Sequence, residues 1–297
     1  MSGSSGHGIA ALVAAMRPRQ WVKNGFVFAA LLFAERVGQG HDVLRVCAAF
    51  AVFCLASSSV YLLNDIADRE KDRQHPLKRM RPIASGSLGV ASAAGAATLL
   101  AVVALTGAFL LGTPMLGITA GYLVMNLAYS LALKQVVILD VMIVAAGFLL
   151  RAWAGAVVID VAMSHWLVLC TGLIALFLGF VKRRQEIVTL DQAEEQRPIL
   201  REYSLPFLDQ MISIVTAATL VAYSLYTFSP ELVARLGNNW MGLTIPFVMF
   251  GIFRYLYLVH QRGEGDNPTT IVLSDRPLQA TLLGWCAVVV LTLYVLD

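Results

Sequence analysis

The sequence predicts an all-α polytopic membrane protein, with about nine transmembrane helices around a polar cavity that faces the cytoplasm. Three observations carry that expectation. The 297 residues are 58% hydrophobic and only 14% charged, with a mean hydropathy of +0.71, whereas about a quarter of the residues of an average soluble domain are charged. Nine apolar runs approach the ~20 residues that a helix needs to cross hydrocarbon. Most Lys and Arg residues then fall on one side of the resulting topology.

The elements follow in chain order. Met1 to Gly8 is small and polar and lacks the basic start and cleavage pattern of a removable signal sequence, so residues 1–16 read as a flexible tail that leads into an interfacial segment. Residues 17–297 read as one integral-membrane domain. Arg17-Pro18-Arg19-Gln20-Trp21-Val22-Lys23-Asn24 mixes cations with an aromatic residue, as membrane-entry segments do. Arg17 and Arg19 suit simple anchoring at least as well as a site. Lys23, at the start of the first span (24–37), is placed to point into a cavity.

The second span, 42–64, runs directly into Asn64-Asp65-Ile66-Ala67-Asp68-Arg69-Glu70-Lys71-Asp72, followed by His75-Pro76-Leu77-Lys78-Arg79-Met80-Arg81-Pro82. If the helix continues past Leu63, then Tyr61, Asn64/Asp65, Asp68, Asp72 and His75 recur every three or four residues and share one face. Such a face can hold a divalent metal, because Mg²⁺ takes a few protein oxygens and completes its shell with water and substrate phosphates. The basic residues downstream suit those phosphates. A solvated juxtamembrane charge run would not require acids phased on a helix ahead of the basic block.

The third and fourth spans, 89–111 and 114–133, lead to Tyr129-Ser130-Leu131-Ala132-Leu133-Lys134. The fifth, 136–158, contains Asp140 near its start and Arg151 within it. Eleven residues separate the two, about three turns and ~16 Å, so they share a face but cannot pair directly, and each needs another partner. The sixth span, 165–181, ends in Lys182-Arg183-Arg184-Gln185-Glu186, which serves as a topology determinant or as a phosphate contact through Lys182 and Arg183. Spans 209–228, 240–259 and 278–296 complete the set. Arg254 lies near the inner end of the eighth and is a weaker candidate for the same cavity. The loop from Arg262 to Pro277 holds Gly263, Gly265, Asn267 and Pro268 and reads as irregular. Its Asp275-Arg276 pair has no assignable role.

With nine spans, the N-terminal segment and the loops after the second, fourth, sixth and eighth share the basic side, leaving only Arg36, Arg45 and Arg235 opposite. The positive-inside rule places the N-terminus and the charged clusters in the cytoplasm and Asp297 outside. Cys47, Cys54, Cys170 and Cys286 lie within apolar runs, without metal-ligand spacing, and read as packing residues. No zinc pattern, nucleophile elbow, Walker loop or dinucleotide fingerprint occurs. The net charge of +3 follows from topology and gives no reason to expect nucleic acid.

Asn64-Asp65-x-x-Asp68-x-x-x-Asp72 resembles, at every position, the metal motif after the second helix of UbiA-type membrane prenyltransferases, a superfamily of nine-helix proteins. More narrowly, the chain resembles the branch that acts on decaprenyl phosphate, through Arg17 to Asn24, Asn64 to Arg81 and Tyr129 to Lys134. The likeness extends from about Arg17 through Glu186. It implies a catalytic integral-membrane domain in a bacterial inner membrane, with its active site cytoplasmic. It further implies Mg²⁺-dependent transfer of 5-phosphoribose from phosphoribosyl diphosphate to a polyprenyl phosphate lipid, with diphosphate released.

On that likeness Asp68, Asn64, Asp65 and Asp72 are the catalytic set, with Asn64, Asp68 and Asp72 holding Mg²⁺. Lys78 and Arg81 would neutralise developing charge. Lys23, Tyr61, His75, Arg79, Tyr129, Lys134, Asp140, Arg151, Lys182 and Arg183 complete the substrate-binding residues. Many relatives that prenylate aromatic acceptors carry a second aspartate-rich motif, whereas this chain offers Lys134, a single Asp140 and Arg151. A donor with two phosphate groups plus a lipid phosphate calls for more cations and fewer acids. The competing readings are transfer from a prenyl diphosphate to an aromatic or other acceptor, and a transporter, against which the one-sided placement of the charges speaks. Nothing in the sequence excludes a homo-oligomer.

Overall fold

The computed structural model describes residues 4–189, 198–263 and 268–295, and every regular element among them is helical. Gly265, Asn267 and Asp297, which the sequence reading used, lie outside the described residues. The chain divides into two compact units. One comprises residues 1–31, 39–136 and 150–162, and the other residues 32–38, 137–149 and 163–297.

The first unit begins with helix α1 (Ser4–Ala15), which occupies most of the segment expected to be a flexible tail. Ala15 is buried beside Leu62, Ile83, Leu88, Ala93 and Ala97, with Ala11 and Leu12 packed onto the same cluster, and this burial orders the segment. The chain then runs as a 3₁₀ helix over Pro18–Phe28 and one short α-helix, α2 (Ala29–Phe33). The first expected span is therefore not a continuous α-helix. Its contacts recur every three residues, the 3₁₀ period. Trp21 Nε1 donates to Ser58 Oγ (3.1 Å), Asn24 Nδ2 to Cys54 Sγ (3.2 Å) and Ser57 Oγ (3.3 Å), and Val27 is fully buried. At Val27 the backbone meets Gly155, where a Cβ would stand 1.8 Å from the Val27 carbonyl oxygen, so only glycine fits.

Helix α3 (Gly40–Ala67) has 28 residues, about 42 Å at 1.5 Å per residue, longer than a ~30 Å hydrocarbon core, so its last turns carry polar groups past the apolar layer. Two short helices, α4 (Arg69–Gln74) and α5 (Pro82–Ser85), lead to α6 (Val90–Leu111). Helix α6 buries Ala93, Ala97, Ala104 and Ala108, a small-residue face that permits close approach to α3. There Ser59 Oγ donates to the Ala97 carbonyl at 2.8 Å. Helix α7 (Thr113–Leu131) and α8 (Leu139–Val158) follow. Arg45 donates to the carbonyls of Leu111 (3.0 Å) and Val158, the last residues of α6 and α8, and so satisfies acceptors that a helix end leaves open.

The second unit contains α9 (His165–Thr189), α10 (Leu205–Thr227), α11 (Pro230–Leu236), α12 (Ile245–Arg262), α13 (Pro268–Ser274) and α14 (Arg276–Tyr294). Its core joins Val141, Phe177, Val181, Leu208, Ile212, Tyr255 and Leu258. Gly179 admits Val141, whose Cγ1 would lie 2.6 Å from an added Cβ. A second cluster gathers Leu232, Leu236, Met241, Val289 and Leu293.

Among the described residues, seven helices are both long and apolar enough to cross a membrane: α3, α6, α8, α9, α10, α12 with its preceding turn from Trp240, and α14. The two remaining predicted spans differ for separate reasons. The first is interrupted as described, and the fourth, α7, is 19 residues long but carries Thr119, Tyr122, Asn126 and Tyr129.

Candidate functional site

The acidic motif sits where α3 ends. Asp68 has φ −95° and ψ 9° and separates α3 from α4, so the uninterrupted helix expected past Leu63 is broken there. The turn nevertheless carries on, since Asp68 N–H donates to the Asn64 carbonyl (2.9 Å) and Asp72 N–H to the Asp68 carbonyl (2.8 Å). The bridge region of backbone space that Asp68 occupies is sparsely populated in general and recurs at active sites.

Each acid of the motif meets a cation from another element of the same unit. Asp65 is buried and accepts from Arg17 and from Arg81 Nη1 (3.1 Å). The same Arg81 nitrogen donates to Asp72 Oδ2 at 2.7 Å. Asp68, with 37% of its side chain exposed, accepts from Lys134 Nζ at 3.0 Å. Asn64 Oδ1 accepts from the Ser130 hydroxyl. The Arg17 guanidinium lies 5.1 Å above the Tyr61 ring, a cation–π contact that keeps it oriented toward Asp65. Arg17, weighed in the sequence chiefly as an anchor, thus joins the motif, and so does Ser130. The signals for Arg17 in the sequence were the cation-aromatic composition of the entry segment and its place in the Arg17 to Asn24 stretch that carries the family resemblance.

A second, deeper layer is built on Arg151. Its Nε donates to Asn24 Oδ1 (2.7 Å) and its Nη2 to the Tyr122 hydroxyl (2.9 Å), and its guanidinium lies 4.9 Å from the Tyr122 ring centre. Arg151 is buried, and through Asn24 it is tied to Cys54 and Ser57 on α3. His75 is buried as well. Its Nδ1 accepts from the backbone N–H groups of Leu77 (3.1 Å) and Lys78 (3.3 Å), so it shapes the turn ahead of the basic block. Lys23, Lys78 and Tyr129 are half-buried and Arg79 is exposed.

Asp140, Lys182 and Arg183 belong to the second unit. Arg183 Nε donates to Asp140 Oδ2 (2.6 Å), its Nη1 donates to Glu186 Oε2 (2.6 Å), and the Tyr203 hydroxyl donates to Asp140 Oδ1 (2.7 Å). The side chains of Asp140 and Arg183 are 0% and 3% exposed. Asp140 therefore has partners other than Arg151, as the spacing required, and the pair offers little surface to a phosphate. Burial, and next the hydrogen bond to Asp140, push the Tyr203 hydroxyl well above the ordinary phenol value, so it stays protonated and able to donate. Lys182 is half-exposed, 3.9 Å from Glu186. Arg254 pairs with Asp275 (2.8 Å), which also caps α14 by accepting from Leu278 N–H (2.8 Å). This gives Asp275 the role that the sequence reading left blank, and Arg254 a carboxylate partner.

Among the described residues, no group of three or more His, Cys, Asp or Glu side chains is gathered closely enough to hold a metal unaided. The donors still fit Mg²⁺. Asn64, Asp68 and Asp72 offer hard oxygens, and Mg²⁺ is bound through one or two carboxylates with water and substrate phosphates supplying the rest.

The model of the UbiA prenyltransferase family matches residues 25–274. The chain is 37% identical to decaprenyl-phosphate phosphoribosyltransferase of Mycolicibacterium smegmatis, across 96% of this chain and 93% of that protein. It is 33% identical to the protein of the same name from Corynebacterium glutamicum, across 96% and 87%. Among solved structures it resembles a UbiA homologue from Archaeoglobus fulgidus bound to GPP and Mg²⁺, with a TM-score of 0.73 at 14% identity over 96% of this chain and all of that one. That last likeness is one of fold.

Proposed function

Because the chain belongs to the UbiA prenyltransferase family, we propose that it transfers 5-phosphoribose from phosphoribosyl diphosphate to a polyprenyl phosphate and releases diphosphate. Relatives that share a third or more of its residues over nearly their whole length bear the matching name. The observation that carries the reading is the ring of cations around the acidic motif. Arg17, Arg81 and Lys134 each contact an acid of that motif, which suits a donor with a diphosphate and a 5-phosphate beside a lipid phosphate.

The reaction is a displacement at the anomeric carbon. An oxygen of the lipid phosphate forms the new bond to ribose C1 as the bond from C1 to the diphosphate oxygen breaks. The attacking phosphate is already an anion near neutral pH, so no strong general base is needed, and none is evident among the motif residues. Asn64, Asp68 and Asp72 hold Mg²⁺, which when bound supplies Lewis-acid neutralisation of the leaving diphosphate. Asp65, buried between Arg17 and Arg81, orients those two guanidinium groups toward the phosphates. Lys134 leaves Asp68 for a phosphate oxygen, and Lys78 and Arg81 counter the charge that develops on the leaving group. Lys23, Tyr61, Arg79 and Tyr129 fix the substrates. Arg151 and His75 keep the surrounding backbone and side chains in place.

The site faces the cytoplasm of a bacterial inner membrane, by the distribution of Lys and Arg. Counting the interrupted first segment and α7 as crossings completes nine.

The test uses detergent-solubilised protein with Mg²⁺, labelled phosphoribosyl diphosphate and a polyprenyl phosphate, following label into the organic phase and diphosphate release. Metal-dependent formation of lipid-linked phosphoribose, abolished by a chelator, is expected. No such product, with label instead passing from a prenyl diphosphate to an aromatic acceptor, replaces this reading by the prenyltransferase one.

A further inference from the structure

Helix α1 closes on a residue whose backbone and side chain call for different amino acids. Arg17 has φ +55° and ψ +60°, in the left-handed region. Helices commonly close on such a residue, but it is usually Gly and sometimes Asn. Pro18 adds to the strain, because a proline pushes the residue before it toward extended backbone. The main chain is that of a helix end, with Arg17 N–H donating to the Ala14 carbonyl (3.2 Å) and the Arg17 carbonyl accepting from Gln20 N–H (2.8 Å). The side chain accounts for an arginine at this place, since its guanidinium reaches Asp65 and lies over the Tyr61 ring. Strained residues of this kind persist only where their surroundings over-determine them, and they gather at functional sites.

The surroundings here are one face of α3. Ser58, Tyr61 and Asp65 stand three and four residues apart and so share that face, and they belong to the first unit, as does every residue of the corner. Ser58 is fully buried. Its Oγ accepts from Trp21 Nε1 at 3.1 Å, and its one proton is shared between the carbonyls of Met16 (3.1 Å) and Cys54 (2.7 Å). The hydroxyl therefore ties to α3 both the residue before Arg17 and the residue four after it. We propose that Ser58 is a positioning residue for donor binding, its hydroxyl clamping Met16 and Trp21 on either side of the left-handed corner so that the Arg17 guanidinium stays aimed at Asp65 and at the diphosphate of the donor. The inference rests on the reading of the acidic motif as the site of that diphosphate. Ser58 acts through Arg17 and is not itself catalytic. Without the hydroxyl, Arg17 relaxes toward the extended backbone that Pro18 favours, and its guanidinium loses its fixed place.

A double-mutant cycle between Ser58→Ala and Arg17→Ala tests this in the full-length, detergent-solubilised protein. Two affinities are read, the Kd for inorganic diphosphate with Mg²⁺ by calorimetry and the donor KM in the transfer assay. Ser58→Ala is expected to raise both about fivefold, the scale of one net hydrogen bond, with kcat nearly unchanged. Arg17→Ala is expected to raise them about thirtyfold, the scale of a hydrogen bond to a charged group. Adding Ser58→Ala to Arg17→Ala should weaken binding no further, because the clamp then has nothing to aim. A role in packing alone predicts the same loss of affinity in both backgrounds, or a lower thermal midpoint with affinity unchanged. Either result overturns the proposal.

If Ser58→Ala yields no folded protein, Trp21→Phe takes its place in the cycle, since it removes the donor to Ser58 and keeps an aromatic ring. The same dependence on Arg17 is expected, and loss of folding in both variants overturns the proposal. A wild type that binds diphosphate but makes no lipid-linked phosphoribose removes the assigned reaction, and the diphosphate cycle then decides the clamp on its own. A wild type that binds no diphosphate removes the clamp as well.

Discussion

Two clusters of carboxylate and guanidinium groups, made from the same side-chain types, are arranged in opposite ways. Around Asn64 to Asp72 three acids meet three cations: Arg81 is shared between Asp65 and Asp72, Lys134 rests on an Asp68 that is 37% exposed, and Arg17 reaches in from a different element. Around Asp140 the two carboxylate oxygens are each taken, one by Arg183 and one by Tyr203, at 0% exposure. In the first arrangement the Lys134–Asp68 pair is open on both sides, at 24% and 37% exposure, and is weak enough to exchange for a metal and phosphates, while Asp65 and Asp72 are buried and it is their arginines, Arg17 and Arg81 at 27% and 28%, that reach the surface. The second cannot exchange without leaving a buried charge, which is costly. Accessibility, more than the presence of acids and cations, separates a site from a brace.

Asp140→Ala puts the largest strain on that distinction. It leaves Arg183 buried with an acceptor missing, and a stability loss of about 3–5 kcal/mol is expected, read from thermal or denaturant unfolding in detergent. A loss well under that range would show that water reaches the second cluster. Asp68→Asn should do the reverse. Folding stays near wild type while transfer falls about 10²–10³-fold, the scale for removing one preorganised electrostatic group, and a fully active variant would remove the metal role of the motif. Lys134→Met sharpens the contrast from the cation side. A partly exposed pair contributes at most about 1 kcal/mol to stability, so melting should barely change, whereas the donor KM should rise about tenfold, equivalent to about 1.4 kcal/mol of binding.

Asp275 supplies a third carboxylate–arginine pair as a smaller calibration. Asp275→Ala removes a helix cap and is expected to cost about 1 kcal/mol. The hydrogen bond from Arg254 holds the Asp275 carboxyl below the usual carboxylate range, so the folded state favours the ionised form. Its contribution is therefore complete above about pH 4, the unfolded value, and is lost as pH falls through the lower folded value. The difference in unfolding midpoint between wild type and Asp275→Ala should shrink on acidification from pH 7 to about pH 3. An unchanged difference would show that the pair carries none of the stability.

The membrane helices were legible because length and apolarity are counted residue by residue, and the hydrocarbon layer sets the length. The motif was legible because its acids recur at helical spacing. The break at Asp68 was not, since no Gly or Pro marks it and the cations that hold the acids there come from Arg17, Arg81 and Lys134. Contacts across 48 and 66 residues leave no periodic trace. The sealing of Asp140 depended on Tyr203, 63 residues away, for the same reason. Asp275 is different, because Asp275-Arg276-Pro277 is a helix-start pattern carried by adjacent residues and so readable in the sequence itself.

The 3₁₀ segment over Pro18–Phe28 constrains how this chain can be improved. Three residues complete about one full rotation in a 3₁₀ helix but only about 300° in an α-helix. Converting the segment to α would therefore slip Asn24 about 60° and Val27 about 120° out of angular register with Trp21, and Asn24 is the residue that holds Arg151. Substitutions that raise helix propensity here, ordinarily a safe route to a more robust protein, would unthread the deeper layer of the site. Local optimisation and activity pull in opposite directions along these eleven residues.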